Sequence, residues 1–391
     1  MYLIPILREN GGNMKKKIYI TSLHLKHGGI EMAITLLANA LVKRGYEVEI
    51  LCTYKIGEPA YELNDEVKIT YLTDVSPNRI EFQEALKSRN IFRIIKQGCY
   101  AVKVLYLKRV TMQRKISSIS SGVIIATRND HAVLLSKYGN KDVKKIAQLH
   151  HDHQFDKKLL KDFRDNYKAI DTFVVLTDTL KAEIKEIMEK NGHTEIVVIP
   201  NFLPDEDVVQ DIYGEREKQI IAVGRMHEVK GFLRLLDIWK CASVDPEIVL
   251  KLVGDGEQFN EIDEKIKDMN LEKRVVLTGA LNHKQVIDEM KKSLVYVMTS
   301  YTEAFPYVLL EALSAGLPIV AYDVRVGPRA IIENGGNGYL IEDNNLKLYC
   351  RKLEELLNDE ELRNELSVIS QTSVREFSES IVLQKWIEIL K

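Results

Sequence analysis

The chain has 391 residues, of which 45% are hydrophobic and 29% are charged, and its formal net charge is −2. This length and composition indicate a globular protein of two or three domains and argue against a nucleic-acid-binding protein, whose chain would be strongly basic. No apolar run reaches the roughly 18 residues of a membrane-spanning helix. The cysteines are widely spaced without a pairing pattern, which favours reduced thiols and a cytoplasmic location. They are Cys52, Cys99, Cys241 and Cys350.

The first thirteen residues show no strand pattern, and they lack the basic start and long apolar stretch of a secretory signal peptide. A run of lysines follows Met14, and the first predicted strand begins at Lys17. We therefore expect translation to start at Met14, so that residues 1–13 are not part of the native protein.

Short runs rich in β-branched residues alternate with segments of helical periodicity along the whole chain. Uninterrupted apolar strands separated by helices are typical of parallel sheets covered on both faces. The predicted strands are residues 17–22, 47–54, 68–72, 122–127, 145–150, 172–177, 195–200, 219–224, 247–254, 274–279, 294–299, 317–322 and 338–341. They are enough for two sheets, so we predict an α/β fold with two doubly wound, Rossmann-like domains.

A polar segment without strand or helix periodicity, residues 201–217, separates the strands into two groups. We interpret it as the linker between an N-terminal domain, residues 1–200, and a second domain, residues 218–373. Residues 374–391 are predicted to form a C-terminal amphipathic helix that contains Trp386. Ligands bind outside the carboxyl ends of the strands in such sheets, so the predicted site is the cleft between the two domains.

Charge is distributed unevenly along the chain. Residues 1–200 carry 32 Lys and Arg against 23 Asp and Glu, whereas the remainder carries 23 against 34. The positive excess is concentrated in residues 85–118, where nine basic residues and no acidic one interleave with large apolar residues. Such a segment can lie on an anionic bilayer, as a peripheral protein on the inner face of the cell membrane, or bind a polyanionic polymer. The alternative is a pair of solvated surface helices.

Two clusters follow strands of the predicted N-terminal domain. Gly28 and Gly29 follow the first strand and open a helix, where paired glycines let a phosphate approach the backbone. The sequence QLHHDHQFD, residues 148–156, follows the fifth strand. Its three histidines and Asp152 could hold a metal, but successive side chains do not easily converge on one ion, so we predict no metal site.

Two cations, Arg225 and Lys230, follow the first strand of the second domain and are five positions apart. Neighbouring cations repel each other, whereas a diphosphate between them removes that cost and adds charge-assisted hydrogen bonds. After the next strand, Gly254, Asp255 and a further glycine form a turn. Phe259 stands where a dinucleotide-binding fingerprint would have its third glycine, which argues against a nicotinamide cofactor.

The most informative segment is TSYTEAFPYVLLEALSAGLPIVAYD, residues 299–323. Glu303 lies in the loop after an apolar strand, and Glu311 lies eight positions later in a predicted helix. Two glutamates at this spacing occur by chance in most helical proteins. Their position between two apolar strands, in a loop followed by a helix, is what favours a function.

The helix of this segment is predicted to begin near Phe305 or Pro306, because proline fits the first helical turn. The free backbone N–H groups of that turn, at Tyr307 and Val308, then form an anion site. A phosphate bound there would have one glutamate on each side, and each carboxylate could accept hydrogen bonds from sugar hydroxyls.

Together these elements resemble the family-4 retaining glycosyltransferases, and residues 299–323 resemble the E-x7-E element of that family. The resemblance covers nearly the whole chain from Lys17 and extends to members that glycosylate bacterial cell-surface polysaccharide or teichoic acid. It implies a GT-B fold. It also implies a nucleoside-diphosphate-sugar donor, with UDP as the expected nucleotide, and an acceptor that is a glycan, a glycopolymer or a lipid-linked sugar.

The resemblance also implies a role for each site residue. The catalytic residues would be Arg225 and Lys230 on the diphosphate, Glu303 on the donor sugar and His150, which touches the same sugar. Further donor contacts are expected from Gly28, Gly29, Gly254, Asp255, Phe305, Pro306, Tyr307, Val308 and Glu311, the last on the ribose. Acceptor contacts are expected from Arg128, Asn129, His151 and His153. No metal or other cofactor is required, since the cations and the helix dipole supply the positive charge.

Two other functions fit parts of this pattern. A non-catalytic GT-B subunit, which binds a glycan or supports a partner transferase, would lack one of the two cations or one of the two glutamates. A nucleotide-sugar epimerase shares the fold but lacks this combined set. The sequence does not identify the transferred sugar, the acceptor or the linkage.

Overall fold

The computed structural model describes residues 16–208 and 216–391, so the predicted start at Met14 and the middle of the predicted linker lie outside the described residues. The predicted α/β fold is confirmed, and every predicted strand is present with ends within two residues of the prediction. The strands are β1 (Ile18–Ser22), β2 (Val48–Tyr54), β3 (Lys68–Thr73), β4 (Gly122–Ala126), β5 (Val143–Gln148), β6 (Thr172–Val175), β7 (Glu195–Val198), β8 (Gln219–Val223), β9 (Val249–Val253), β10 (Val275–Gly279), β11 (Val295–Met298), β12 (Ile319–Asp323) and β13 (Gly338–Glu342).

Helices connect nearly all of these strands and cover both faces of the sheets. They are α1 (Gly29–Lys43), α2 (Arg79–Lys87), α3 (Ile91–Ser118), α4 (Asn129–Tyr138), α5 (Lys157–Asn166), α6 (Asp178–Ile187), α7 (Phe232–Cys241), α8 (Phe259–Asp268), α9 (His283–Lys292), α10 (Tyr307–Ser314), α11 (Leu346–Asn358), α12 (Glu360–Ser373) and α13 (Glu379–Leu390). Within the described ranges, none of these helices is long and apolar enough to cross a bilayer.

The strands form two separate parallel sheets. Their orders are β3-β2-β1-β4-β5-β6-β7 and β10-β9-β8-β11-β12-β13. In the first sheet the strand order reverses between β1 and β4, and in the second it reverses between β8 and β11. Ligands bind at such switch points, at the carboxyl ends of the strands. The sequence-predicted residues Gly28, Arg128, Arg225 and Glu303 lie in the loops after these four strands.

Burial on both faces explains why the central strands show little alternation of polar and apolar residues. β2 is buried at all seven positions and β11 at all four. The charged exception is Glu49 in β2, whose carboxylate lies 3.1 Å from Lys17 Nζ and 3.2 Å from Lys115 Nζ. A buried carboxylate is stable there because cations surround it.

The chain crosses between the two sheets twice, and the two crossings lie side by side. The backbone N–H of Leu203 donates to the Phe377 carbonyl at 2.9 Å, and that of Glu379 donates to the Leu203 carbonyl at 2.8 Å. After the second crossing, α13 packs on the first sheet, where Trp386 is 2% exposed and joins the cluster that contains Ile18. The C-terminal helix therefore belongs to the core of the N-terminal domain.

Replacing Trp386 by alanine tests this packing. We expect Trp386→Ala to lower the free energy of unfolding by about 3–5 kcal/mol, because it removes a large side chain from a filled core. Urea unfolding followed by far-UV circular dichroism measures the change. The matched control is Ile381→Ala, since Ile381 lies on the same helix but is 49% exposed, and its effect should stay within about 0.5 kcal/mol. Equal urea midpoints for the two variants would contradict the described packing.

Candidate functional site

The loop after β8 and the loop after β11 interlock at Gly231. This residue has a φ of 66°, and a Cβ atom there would lie 2.0 Å from the Thr299 carbonyl oxygen. The Thr299 hydroxyl donates to the Gly231 carbonyl at 2.9 Å, and the Tyr301 N–H donates to the Val229 carbonyl at 2.7 Å. Glycine is required for both the backbone conformation and the close approach, which together hold the two loops against each other.

This interlock brings Lys230 onto Glu303. Lys230 Nζ lies 2.5 Å from Glu303 Oε1, and the Ser300 hydroxyl donates to the same oxygen at 2.7 Å. The Glu303 side chain is only 11% exposed, so this ion pair is largely shielded from water. Arg225, on the same loop as Lys230, is exposed and has no ion-pair partner among the described residues. One predicted cation is therefore paired with a predicted carboxylate, and the other is open to solvent.

The predicted turn after β9 packs on the loop after β8. A Cβ atom at Gly254 would lie 1.9 Å from the Gly224 carbonyl oxygen, and one at Gly256 would lie 2.4 Å from that of Met226. The Met226 N–H donates to the Asp255 carbonyl at 2.9 Å. The two glycines are thus explained by contact between loops, whereas the exposed Asp255 side chain is accessible to a ligand.

Helix α10 begins at Tyr307, and the preceding Pro306 has a ψ of 119° and ends the loop. The prediction that the helix begins at Phe305 or Pro306 is therefore one or two residues early. The side chains of Phe305 and Tyr307 are buried, and the Phe305 ring packs edge-on against Phe377 with centroids 5.5 Å apart. These two positions can therefore contact a donor mainly through their backbone. The N–H groups of Tyr307 and Val308 open the helix and have no acceptor within it.

Glu311 is buried within α10, where it is held by His283, the first residue of α9. His283 Nε2 lies 2.9 Å from Glu311 Oε1, and the two side chains are 46% and 7% exposed. The hydrogen bond to Glu311 raises the pKa of His283 and outweighs burial, which acts in the opposite direction. A carboxylate that was predicted to bind ribose hydroxyls is thus already oriented by a neighbouring imidazole.

The predicted phosphate loop of the N-terminal domain faces the start of α10. Gly28 and Gly29 open α1, and the Gly28 N–H lies 3.4 Å from the Tyr61 hydroxyl oxygen. Met32, in the following turn, belongs to the same buried cluster as the residues that open α10. Glu31 is buried beside Gly28, and burial raises the pKa of its carboxyl group. The structure therefore brings the two glycines to the same cleft as Glu311.

His150 and His151 follow β5 in different environments. The Nε2 atom of His150 is inaccessible to solvent and has no hydrogen-bond partner within the described ranges. Burial, with a smaller effect from His151, lowers the pKa of His150 to about 3, so its imidazole is neutral at physiological pH. Because this nitrogen is inaccessible, a ligand would reach it only after neighbouring side chains move. His151 is exposed and lines a cavity of about 500 Å³ that opens next to Asn129.

His153 belongs to a cluster of ion pairs that joins the two domains. Arg325, two residues after β12, contacts both oxygens of Glu183 at 2.6 and 2.7 Å and donates from Nε to Asp152 at 2.9 Å. His153 Nε2 lies 2.8 Å from Glu183, and its Nδ1 accepts a hydrogen bond from the Phe155 N–H at 3.1 Å. The Nε2 atom lies at ion-pair distance from Glu183 but makes no well-aligned hydrogen bond. His153 also lines the cavity beside His151, so its predicted acceptor contact stays a prediction.

The residues after β4 are also engaged within the N-terminal domain. Asn129 Nδ2 donates to Asp162 at 2.8 Å, and its Oδ1 accepts from the Tyr167 hydroxyl at 2.9 Å. Each atom keeps one further hydrogen-bonding position, and Asn129 lines the cavity beside His151, so its predicted acceptor contact stays a prediction. Arg128 Nε lies 3.6 Å from Asp130, and the Arg128 side chain is 34% exposed.

No sequence pattern pointed to a site role for His283, Arg325 or Glu183. His283 follows β10 and Arg325 follows β12, so both stand at strand ends on the same edge as the predicted residues. Their position at strand ends could have identified both as site residues. Glu183 lies in the middle of α6, where an acidic residue is ordinarily a solvated surface residue, and nothing local distinguishes it.

A comparison with known families identifies the domain that contains this site. Residues 205–371, which include Arg225, Lys230, Glu303 and Glu311, match the model of the family described as glycosyl transferases group 1. The chain carries a group 1 glycosyltransferase domain. The protein is accordingly an enzyme that transfers a sugar, as the sequence analysis predicted.

Similar proteins span most or all of this glycosyltransferase. It is 27% identical over 369 residues to the amylovoran biosynthesis glycosyltransferase AmsD of Erwinia amylovora. The match covers 93% of this chain and 96% of that protein. It is 28% identical over 299 residues to the poly(ribitol-phosphate) alpha-N-acetylglucosaminyltransferase of Staphylococcus aureus, which covers 74% of this chain and 58% of that protein.

A solved structure confirms the fold. The S. aureus TarM mutant in complex with fondaparinux, alpha-GlcNAc-glycerol and UDP aligns with a TM-score of 0.74 and 16% identity, over 96% of this chain and 100% of that one. The two facing Rossmann-like domains of the glycosyltransferase are therefore the GT-B fold.

Replacing His283 by glutamine tests its pairing with Glu311. The imidazolium–carboxylate pair contributes fully below the ordinary histidine pKa of about 6.5 and is lost as pH rises through the raised pKa of His283. We expect the stability advantage of the wild type over His283→Gln to shrink as pH rises from about 6 to about 9. Because solvent screens the half-exposed ring, the difference in free energy of unfolding should be about 1 kcal/mol at most. Urea unfolding at a series of pH values measures it.

The matched control for this experiment is Lys284→Gln, because Lys284 is exposed, adjacent to His283 and makes no ion pair with the described residues. Its stability relative to the wild type should be independent of pH. Parallel pH profiles for wild type and His283→Gln would show that Glu311 does not stabilise the protonated imidazole.

Proposed function

We propose that the protein transfers a sugar from a nucleoside-diphosphate-sugar, with UDP as the expected nucleotide, and that it retains the anomeric configuration. The observation that carries the proposal is the interlocked pair of loops after β8 and β11, with Lys230 on Glu303 and Arg225 beside them. Cations and free N–H groups of α10 suit a diphosphate, and the carboxylates suit sugar hydroxyls. The TarM structure, which has the same fold, is in complex with UDP.

In the proposed reaction, the bond between the sugar C1 atom and the diphosphate oxygen breaks, and the acceptor oxygen bonds to C1 on the same face. Arg225 and Lys230 stabilise the negative charge that grows on the departing diphosphate. A phosphate oxygen of the leaving group takes the acceptor proton, so no protein nucleophile is needed. Glu303 holds donor-sugar hydroxyls, Glu311 holds the ribose, and His150 contacts the sugar.

The acceptor that we propose is a cell-surface glycan, a glycopolymer or a lipid-linked sugar. Support comes from two relatives, one of which acts in amylovoran biosynthesis and the other on poly(ribitol-phosphate). The acceptor would lie on the N-terminal side of the cleft, near Arg128 and the cavity lined by His151.

We propose that no metal takes part. Arg225, Lys230 and the start of α10 supply the positive charge that the diphosphate needs. In residues 16–208 and 216–391, no three His, Cys, Asp or Glu side chains are arranged to hold a metal ion, and Asp152 is bound to Arg325. A non-catalytic GT-B subunit is the rival function. The presence of both cations and both glutamates argues against it, because such a subunit would lack at least one of them.

The donor site is tested with Arg225→Ala and Lys230→Ala. Each variant should retain its far-UV circular dichroism spectrum and lose about tenfold to a hundredfold or more in kcat/KM for the donor. That loss corresponds to a charge-assisted contact of about 1.5–3 kcal/mol that strengthens as charge develops. Release of nucleoside diphosphate, with a membrane extract as acceptor, measures the rate.

The control for the donor-site variants is Lys347→Ala, which removes an exposed cation from the same domain at the start of α11. Its kcat/KM should match that of the wild type. A near-normal rate in either Arg225→Ala or Lys230→Ala would contradict the donor-site assignment.

The anomeric configuration of the product tests the proposed mechanism separately from the donor site. An α-linked nucleotide-sugar should yield an α-linked product, because the acceptor attacks the face that the diphosphate leaves. Proton NMR of the product, from the coupling between the sugar H1 and H2, distinguishes the two anomers. A β-linked product would exclude the same-face attack and leave the nucleotide site intact.

A further inference from the structure

Exposed apolar side chains are concentrated on α2 and α3. Fifteen large hydrophobic side chains are exposed in the described residues, and eight of them lie within residues 80–106. Phe92 is 86% exposed, the largest fraction among them. The eight are Ile80, Leu86, Ile91, Phe92, Ile95, Val102, Leu105 and Tyr106. A contiguous patch of this kind on a globular protein marks a surface that meets a partner or a membrane.

Four of the six exposed apolar residues of α3 share one face of the helix. Ile91, Ile95, Val102 and Tyr106 follow one another at intervals of four, seven and four, which places them in one row along the helix. Val104 is the one buried residue in the first half of α3, and it lies on the opposite side. We call the face that carries Ile91, Ile95, Val102 and Tyr106 the apolar row.

Positive charge borders the apolar row. Seven of the nine basic residues in 85–118 are exposed and make no ion pair with the described residues. Lys96 and Lys103 each follow a member of the row by one position, which puts them along its edge, and Arg109 continues the row towards the C-terminus of α3. Because residues 85–118 include no acidic residue, the face is both apolar and cationic.

The other two basic residues show how α3 is placed against the first sheet. Lys115 Nζ lies 3.2 Å from Glu49, near the start of β2, and Lys108 Nζ lies 2.7 Å from Asp130, just after the end of β4. The helix therefore spans the sheet between these two lysines. The first seventeen residues of the helix extend beyond the edge of the sheet at which the strands end. At about 1.5 Å per residue, this extension is roughly 25 Å long. The apolar row thus stands at the end of the domain where His150 and the cleft lie.

We propose that α3 docks the enzyme onto an anionic lipid bilayer, with the apolar row among the headgroups and upper acyl chains. Lys96, Lys103 and Arg109 would contact lipid phosphates. A row of large apolar residues bordered by basic ones is the pattern that binds in the plane of a bilayer interface. A soluble polyanion would bind these basic side chains but would leave Phe92 and Ile95 exposed. With α3 docked in this way, the cleft would face the membrane and reach a lipid-linked or membrane-tethered acceptor.

Co-sedimentation of the full chain with phosphatidylglycerol vesicles and with phosphatidylcholine vesicles tests the proposal. We expect binding to the anionic vesicles alone, weaker at high salt. Lys96→Gln/Lys103→Gln/Arg109→Gln and Phe92→Ser/Ile95→Ser should each reduce the partition coefficient roughly tenfold or more. The matched control, Lys273→Gln/Lys284→Gln/Lys347→Gln, removes three exposed cations from the other domain and should bind as the wild type does. All substituted side chains are exposed, so the thermal midpoints should be unchanged.

Cys99 gives a direct readout of insertion. It is exposed on α3, Cys241 is exposed at the end of α7, and the other two cysteines are buried. A bimane label on Cys99 in the Cys241→Ser protein should shift to shorter wavelength with phosphatidylglycerol vesicles. The same label on Cys241 in the Cys99→Ser protein should not shift.

Two results would overturn the proposal. One is equal binding, or none, with both kinds of vesicle. The other is wild-type binding by Phe92→Ser/Ile95→Ser together with an unshifted Cys99 label. Competition by poly(glycerol phosphate) in that second case would identify a site for an anionic polymer instead. Vesicle binding is measured without donor, so its failure leaves the assignment of Arg225 and Lys230 untouched, and failure of that assignment leaves the docking surface untouched.

Discussion

The close approach of Gly231 to the Thr299 carbonyl is the contact on which the rest of the candidate site depends. Any side chain at position 231 would separate the loops after β8 and β11, which are neighbours at the switch point of the second sheet. Arg234 reinforces the contact, since it donates to the Thr299 and Ser300 carbonyls at 2.5 Å each and stacks on Tyr301. A site held by backbone contacts needs little reorganisation when charge develops in the transition state. Such preorganisation is the main source of electrostatic catalysis.

The two domains are joined by contacts of two different kinds. At the double crossing, main-chain hydrogen bonds at Leu203 lie beside a buried apolar cluster that includes Phe305 and Phe377. Across the cleft, Arg325 forms ion pairs with Glu183 and with Asp152, whose side chain is 3% exposed, and stacks on Phe155. The apolar cluster also reaches the cleft, since it contains Met32 of α1. Both kinds of contact therefore lie close to the candidate site.

The fold was predictable because strands buried on both faces read as uninterrupted apolar runs, and β8 and β11 are examples. The positions of Arg225, Lys230 and Glu303 were predictable for a related reason, since the carboxyl ends of parallel strands meet at one edge. Side-chain partners were not predictable. Asn129 stands at a strand end like Arg225, but its amide is engaged by Asp162 and Tyr167, which come from a later part of the chain.

The same limit applies to His153, whose ion pair with Glu183 was not foreseen, and to the overlooked His283. Both are histidines at the edge of the cleft, and the sequence around each is polar. Which one is structural and which one orients a site residue depends on Glu183 and Glu311, which lie 30 and 28 positions away, on other helices. The predicted start of α10 was early for a local reason. Proline is compatible with both the first helical turn and the extended residue before it, and Pro306 adopts the second conformation.

The ion pair between Lys230 and Glu303 has a consequence for how such a site would discriminate between small anions and a sugar nucleotide. Glu303 is the counter-ion of Lys230, so inorganic phosphate must displace it from that lysine and then leaves a shielded carboxylate with only the Ser300 hydroxyl as its partner. A ligand that brings both a phosphate and sugar hydroxyls replaces both lost contacts. Once the sugar has departed, the carboxylate regains the lysine and competes with the remaining diphosphate. The ion pair would therefore weaken the binding of common anions and speed the release of the nucleoside diphosphate product.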